Sequence, residues 1–222
     1  MAKNHLFFLP SKNGTYLYKM QELKNEIINR FGEENVSIIG NDYGDFFLIK
    51  PSELTGSLLI TTDLSDYKMM VHEKHQGEEF AELYFYLPSY WDIHAVDNPT
   101  MNWVFPWLNR VQLYVQNNAT WLGHGHTMPC GKEMQCLSST MTQNHFIVSK
   151  PIACEKFLSP MIVGDKTIHF LALIPLFPDE MDYKQGKGTA KLFDKFRSQG
   201  VTEKLDDYRK STLKSKWKFF GK

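Results

Sequence analysis

The sequence is short of most features that would mark a chemistry. It has three cysteines, Cys130, Cys136 and Cys154, an odd number with no Cys-x-x-Cys pair. A disulfide framework is not expected from that count, and reduced thiols in a cytoplasmic setting are the simpler reading. No stretch approaches the 18 or so apolar residues a membrane helix needs, and Leu6-Phe7-Phe8-Leu9 is too short for a signal-peptide core. No charge of one sign dominates: 25 Lys+Arg balance 25 Asp+Glu, so no bulk field gathers nucleic acid or an anionic membrane. Gly-x-Ser-x-Gly, His-Glu-x-x-His and Walker patterns are missing. What is abundant is aromatic surface, with 16 Phe, 10 Tyr and 5 Trp. Aromatics fill cores, and they are also what protein-binding surfaces are rich in.

The 222 residues suffice for one generous domain, and 42% hydrophobic with 23% charged residues is ordinary globular composition. From Thr15 to Phe31 the apolar positions Leu17, Met20, Leu23, Ile27, Ile28 and Phe31 share one helical face, and Gly32 is placed to end the helix. Short strand-like runs follow at 36–39, 46–49, 58–62 and 67–71, with a hairpin loop at 40–45. Leu83, Phe85 and Leu87 alternate with Glu82, Tyr84 and Tyr86, the pattern of a half-buried strand closed by Pro88. A second helix is expected over 105–116, with Trp107, Val111, Tyr114 and Val115 inward and Pro106 tolerated in its first turn. A short strand at 146–148 precedes a run at 168–174 that is apolar on both faces and therefore central. A helix over 189–199 ends at Gly200, and a last charged helix is expected over 202–211.

Strands mixed with a few helices, without strict alternation, predict a single α+β domain: a mixed, mainly antiparallel sheet against a few helices. We divide the chain into an arm (1–14), the domain (15–200) and a basic C-terminal helix or tail (201–222). From Arg209 to Lys222 that tail carries six basic residues, no acid, and Trp217, Phe219 and Phe220. It could grip an acidic partner, or simply fold its aromatics onto the domain.

Candidate chemistry is sparse. His124, His126, Cys130 and Cys136 are good zinc ligands, but their spacing fits neither finger nor ribbon. No metal is expected there, and a glycine-rich turn is the alternative we favour. His72 and His75 lie in a polar, aperiodic segment that reads as a loop. Gly186-Lys187-Gly188-Thr189 lacks the first glycine and the hydroxyl of a phosphate loop. Asp179, Glu180 and Asp182 could form a carboxylate site, but a solvated acidic helix start, favoured by the macrodipole, is the reading we prefer. No cofactor site is expected.

Four segments in order resemble the suppressor-of-fused domain family: Glu82 to Pro88 (ELYFYLP), Trp103 to Val115 (WVFPWLNRVQLYV), Trp121 to Thr127 (WLGHGHT) and Phe170 to Glu180. The resemblance runs roughly from Phe31 to Phe196. The turn holds two histidines, leaving His126 as the family histidine and His124 an extra. What this resemblance implies is binding without catalysis. Animal members hold a transcription factor through a short peptide added as a strand, and carry a further C-terminal domain for which this chain is too short. Short bacterial members are regarded as immunity proteins that neutralise a cognate toxin, often a nuclease, by stoichiometric occlusion. A cytoplasmic immunity protein is therefore the leading expectation. An adaptor using β-augmentation is the second, and a metal-dependent hydrolase on His124 and His126 the third. On this reading Tyr90 and Trp91 are candidate interface anchors, with a satellite cluster under the next loop as their alternative. Asp92, Asp97, Asp179 and Glu180 would mimic phosphate toward a basic nuclease cleft.

Overall fold

The computed structural model describes residues 13–95 and 97–213. Helix α1 (Asn13–Phe31) ends where the Gly32 N–H returns to the Ile28 carbonyl and Gly32 takes a positive φ of 84°. A hairpin follows, β1 (Val36–Asn41) and β2 (Gly44–Ile49), then β3 (Gly56–Thr61) and β4 (Phe80–Pro88). The hairpin turn is only Asp42-Tyr43, tighter than the expected loop, because Asn41 Oδ1 accepts the Tyr43 N–H and Gly44 supplies a φ of 118°. Helix α2 (Val104–Asn117) leads to β5 (Thr127–Pro129), β6 (His145–Ser149), β7 (Met161–Val163) and the long β8 (Lys166–Leu176). Helices α3 (Pro178–Lys187) and α4 (Thr189–Ser198) complete the regular elements.

The strands make one mixed sheet in the order β1-β2-β3-β4-β8-β6-β5, with β7 also on β8. Only β4–β8 is parallel. This is the single α+β domain the sequence predicts. Alternation along β4 and β8 builds two cores, one per face. Ala81, Leu83, Phe85, Leu87, Leu171 and Leu173 pack under α2, with Val104, Leu108, Val111 and Val115. Tyr84, Tyr86, Phe170, Ala172 and Ile174 pack under α1 and α4, with Leu23, Ile27, Leu192 and Phe196. As expected, β8 is central and buried on both sides.

Several local expectations are corrected. The strand β4 is buried on both faces, not one: Tyr84 and Tyr86 lie in the core under α1 and α4, and Glu82 is enclosed by Thr61 and the 64–65 turn. Residues 67–71 form no strand, since both edges of β4 are already taken by β3 and β8; Met69 N–H bonds the Glu79 carbonyl instead. On α2 the inner face is Val104, Phe105, Leu108, Val111, Gln112 and Val115, while Tyr114 faces solvent. The expected helix over 202–211 is an irregular strap. There the Thr202 hydroxyl accepts the Lys204 N–H and Asp206 accepts the Tyr208 N–H, local bonds that compete with a helix. The Gly186–Thr189 run joins α3 to α4, with Gly188 at φ 88°, and follows no strand. Residues 214–222, the last nine of the basic tail, with Trp217, Phe219 and Phe220, lie outside the described residues.

Candidate functional site

The expected interface residues fall in three places. Tyr90 is about half exposed (47%) just past β4, and its hydroxyl donates to Asp207 at 2.5 Å while its ring meets Tyr208 edge-on. Burial, then Asp207, pushes its pKa up. Trp91 is no surface anchor. It sits in the core, 7% exposed, packed on Trp103 with its indole N–H on the Met101 carbonyl. It belongs to the main core on the α2 side and not to a separate satellite cluster, because the turn after Pro88, closed by the Trp91 N–H on the Pro88 carbonyl, directs the indole inward. Asp92 and Asp97 are exposed on that loop, and Asp92 accepts the His94 N–H.

Glu180 is not a solvated helix-start acid either. It is fully buried, bonded by both guanidinium nitrogens of Arg209 at 2.6 and 2.8 Å and by the Thr212 N–H and hydroxyl. Its charge is therefore spent inside the molecule and cannot mimic phosphate. Asp179, half-buried, accepts the Ser211 hydroxyl. One strap, 199–213, thus joins Tyr90 at Asp207 to the Asp179-Glu180 pair, a connection that no local spacing signals.

His126 lies elsewhere, in the wall of a groove between α2 and the β5 edge of the sheet. Trp107, Arg110, Val111 and Tyr114 of α2 form one side, Trp121 and His126 to Pro129 the other, and Lys132 and Lys184 stand at the rim. The open volume is about 780 Å³, and no carboxylate lines it. Arg110 lies 4.4 Å over the Trp107 ring, whose edge packs on Phe146. His126 meets Trp121 edge-on at 4.3 Å, and His75 lies 4.7 Å from the same indole in a tilted arrangement. Burial lowers the His126 pKa, opposed by a backbone hydrogen bond at Trp121 and helped by the nearby Lys184. Gly125 (φ 89°) allows the turn, and a Cβ there would meet Thr189 at 2.8 Å.

Strand β5 ends the sheet. The His126 carbonyl accepts the Val148 N–H and the Cys130 N–H donates to Asn144, so even-numbered residues point their backbone groups at β6. Thr127 therefore points its N–H and C=O outward, and neither is bonded within the described residues. Its hydroxyl accepts from Lys184 at 3.3 Å.

His124 turns away from the groove to stack on Phe193, its Nδ1 accepting the Lys150 N–H at 3.3 Å. His75 instead pairs with Glu78. Among the described residues no group of three or more His, Cys, Asp or Glu side chains is placed to hold a metal ion, and His124 and His126 face different neighbours, Phe193 and Trp121. No helix among them is long and apolar enough to cross a membrane.

The profile of suppressor of fused protein (SUFU) matches residues 40–210. The chain belongs to the suppressor of fused family. No curated protein matches the sequence. Among solved structures, a SUFU homologue from Neisseria gonorrhoeae superposes with a TM-score of 0.62 at 13% identity, covering 90% of this chain and 99% of that one. A chain of the Sufu–Fu complex gives 0.58 at 15% identity, covering 89% and 91%. Drosophila Suppressor of Fused gives 0.58 at 14%, covering 87% of this chain and 50% of the other. At these identities the likeness is one of fold. The SUFU match spans all four sequence segments that carried the resemblance. Sequence reasoning missed the cationic rim of the groove, because Arg110, Lys132 and Lys184 come from three separate elements with no common spacing.

Proposed function

We propose that the protein is a non-catalytic binding module whose groove between α2 and β5 receives a segment of a partner protein. The observation that carries this reading is the pairing of an outward Thr127 N–H and C=O with an adjacent aromatic, carboxylate-free trough. Backbone bonds to a sheet edge give affinity, and pockets beside it give selectivity. Three residues ending in Pro129 make a short edge, so Trp107, Tyr114 and Trp121 must supply most of the contact.

The partner in this reading is a cognate toxin, neutralised by occlusion, as the family resemblance implies for short bacterial members. The match over 99% of a bacterial homologue supports the short type. The test is co-expression with candidate toxins and titration of the purified pair. A one-to-one complex that silences the toxin, and that Tyr114→Arg weakens, is the expected result. A complex insensitive to every groove substitution removes the groove from the reading. A peptide-binding adaptor is the second reading, favoured by the same outward edge; a partner bound but left active selects it.

A further inference from the structure

The opposite edge of the sheet is β1, which lacks two features that protect β5, a very short length and a proline. Its six residues, Val36 to Asn41, include no proline and no charge. Natural edge strands are usually short, charged, proline-bearing or covered. The ladder with β2 fixes which groups are open. The Lys50 N–H bonds the Asn35 carbonyl, so odd-numbered residues face β2. Val36, Ile38 and Gly40 point outward. The Val36 N–H returns to Glu33, but the Ile38 and Gly40 N–H and C=O groups take no hydrogen bond from the described residues. Ile38 and Ile39 are only half-buried.

The ends of this edge carry one sign of charge. Glu33 and Glu34 precede β1, while Asp42 follows it. The Asp45 carboxylate lies against Gly40, close enough that a Cβ there would meet its Oδ1 at 2.8 Å. All four acids are exposed, and none is in an ion pair among the described residues.

We propose that β1 is a second docking edge, separate from the groove, which takes an extended uncharged segment of another protein flanked by basic residues. The backbone of Ile38 and Gly40 supplies the ladder, and the acids at both ends supply the selectivity. A second copy of this chain fits worse. Antiparallel pairing centred on Ile38 sets residue 34 of one copy opposite residue 42 of the other, acid against acid, which costs stability.

The experiment is amide hydrogen exchange on the full chain, reading Ile38 and Gly40. The probe is a peptide of alternating threonine and valine with two lysines at each end; the control has glutamates there instead. With the lysine peptide at ten times its Kd, both amides slow about tenfold. The glutamate peptide leaves them fast, and raising the salt weakens the effect. Ile38→Pro removes the outward donor and the binding, with the fold checked by the unchanged exchange of β4 and β8. Glu33→Lys with Asp42→Lys, both at exposed sites, balances the two acids that remain and abolishes the preference between the peptides. Three results overturn the proposal. The amides could be slow in the protein alone at every concentration, meaning this chain covers its own edge. They could slow as the protein is concentrated and its mass doubles, meaning a second copy. They could stay fast at millimolar lysine peptide, meaning no strand is accepted.

Discussion

Arg209 and Glu180, 29 positions apart, form a two-pronged ion pair with the carboxylate fully buried and the guanidinium about one-tenth exposed. Arg209 also donates to the Pro175 carbonyl and lies over Phe177 and Phe196. The pair ties the strap to the start of α3. At its other end Glu203 does the same for the 152–154 turn, accepting the Ile152, Ala153 and Cys154 N–H groups at 2.9 Å and the Tyr84 hydroxyl at 3.2 Å. Two buried carboxylates thus fasten one segment to the domain.

Arg209→Met leaves the Glu180 charge buried without its cation and should cost about 3–5 kcal/mol. Adding Glu180→Leu to that variant should recover much of the loss, because the uncompensated charge goes too. Urea unfolding of the single and double variants reads both values. A loss below about 1 kcal/mol in the single variant would mean the pair is solvated in solution.

Glu203→Ala removes the shared acceptor of three backbone N–H groups and should cost about 1–3 kcal/mol. Exchange at residues 152–154 and 203–205 should quicken while β6 stays slow. Uniform acceleration throughout the sheet would instead show that the strap does not open on its own.

Glu82 is fully buried, accepting the Thr61 hydroxyl and the Leu64 and Ser65 N–H groups, and burial raises its pKa from 4.5 to about 7. The folded protein therefore holds a proton that the unfolded chain releases between those values. That contribution is fully present below pH 4.5 and is lost as pH rises through 7. Glu82→Gln keeps an acceptor and carries no charge. Its stability relative to the parent should improve from pH 5 to pH 8, and an unchanging difference in urea midpoints would show Glu82 ionising normally.

Of the three thiols only Cys136 is exposed. Burial pushes Cys130 up to about 12, and burial with Glu203 pushes Cys154 higher still. A thiol reagent at pH 8 should label one cysteine in the native protein and three after unfolding. Rapid native labelling of Cys154 would contradict the closed strap.

Tyr114→Arg places a cation and bulk over the groove from a side chain that is 53% exposed. Stability should change by no more than about 0.5 kcal/mol. Partner affinity should fall at least about tenfold, as expected for a central aromatic contact. Unchanged affinity in calorimetry would place the partner elsewhere.

The elements were legible where local pattern and tertiary burial ask for the same residues. The face of α1, the double-sided apolar run of β8 and the stop at Gly200 each follow from periodicity or from one residue's backbone freedom. The family was legible because its four segments keep their order along the chain. The same alternation misled at β4: Glu82, Tyr84 and Tyr86 have the polar pattern of a solvent face, yet Glu82 is bonded by Thr61 and the 64–65 turn, Tyr84 by Glu203 of the strap, and both tyrosines lie in the core under α1 and α4. Trp91 and Tyr114 exchanged expected roles for a related reason, since periodicity marks a stripe but not which neighbour covers it.

The sequence by itself determined the α+β class, the central strand, the reduced look of the cysteines and the family. Only the tertiary structure decided that Glu180 is neutralised by Arg209, that Tyr90 meets Asp207, and that an aromatic trough has a cationic rim. It also decided which backbone groups of the two edge strands face outward. Each of these depends on groups from distant positions meeting in space. The energy of a buried charge or an unpaired amide is set by that meeting, which no local spacing encodes.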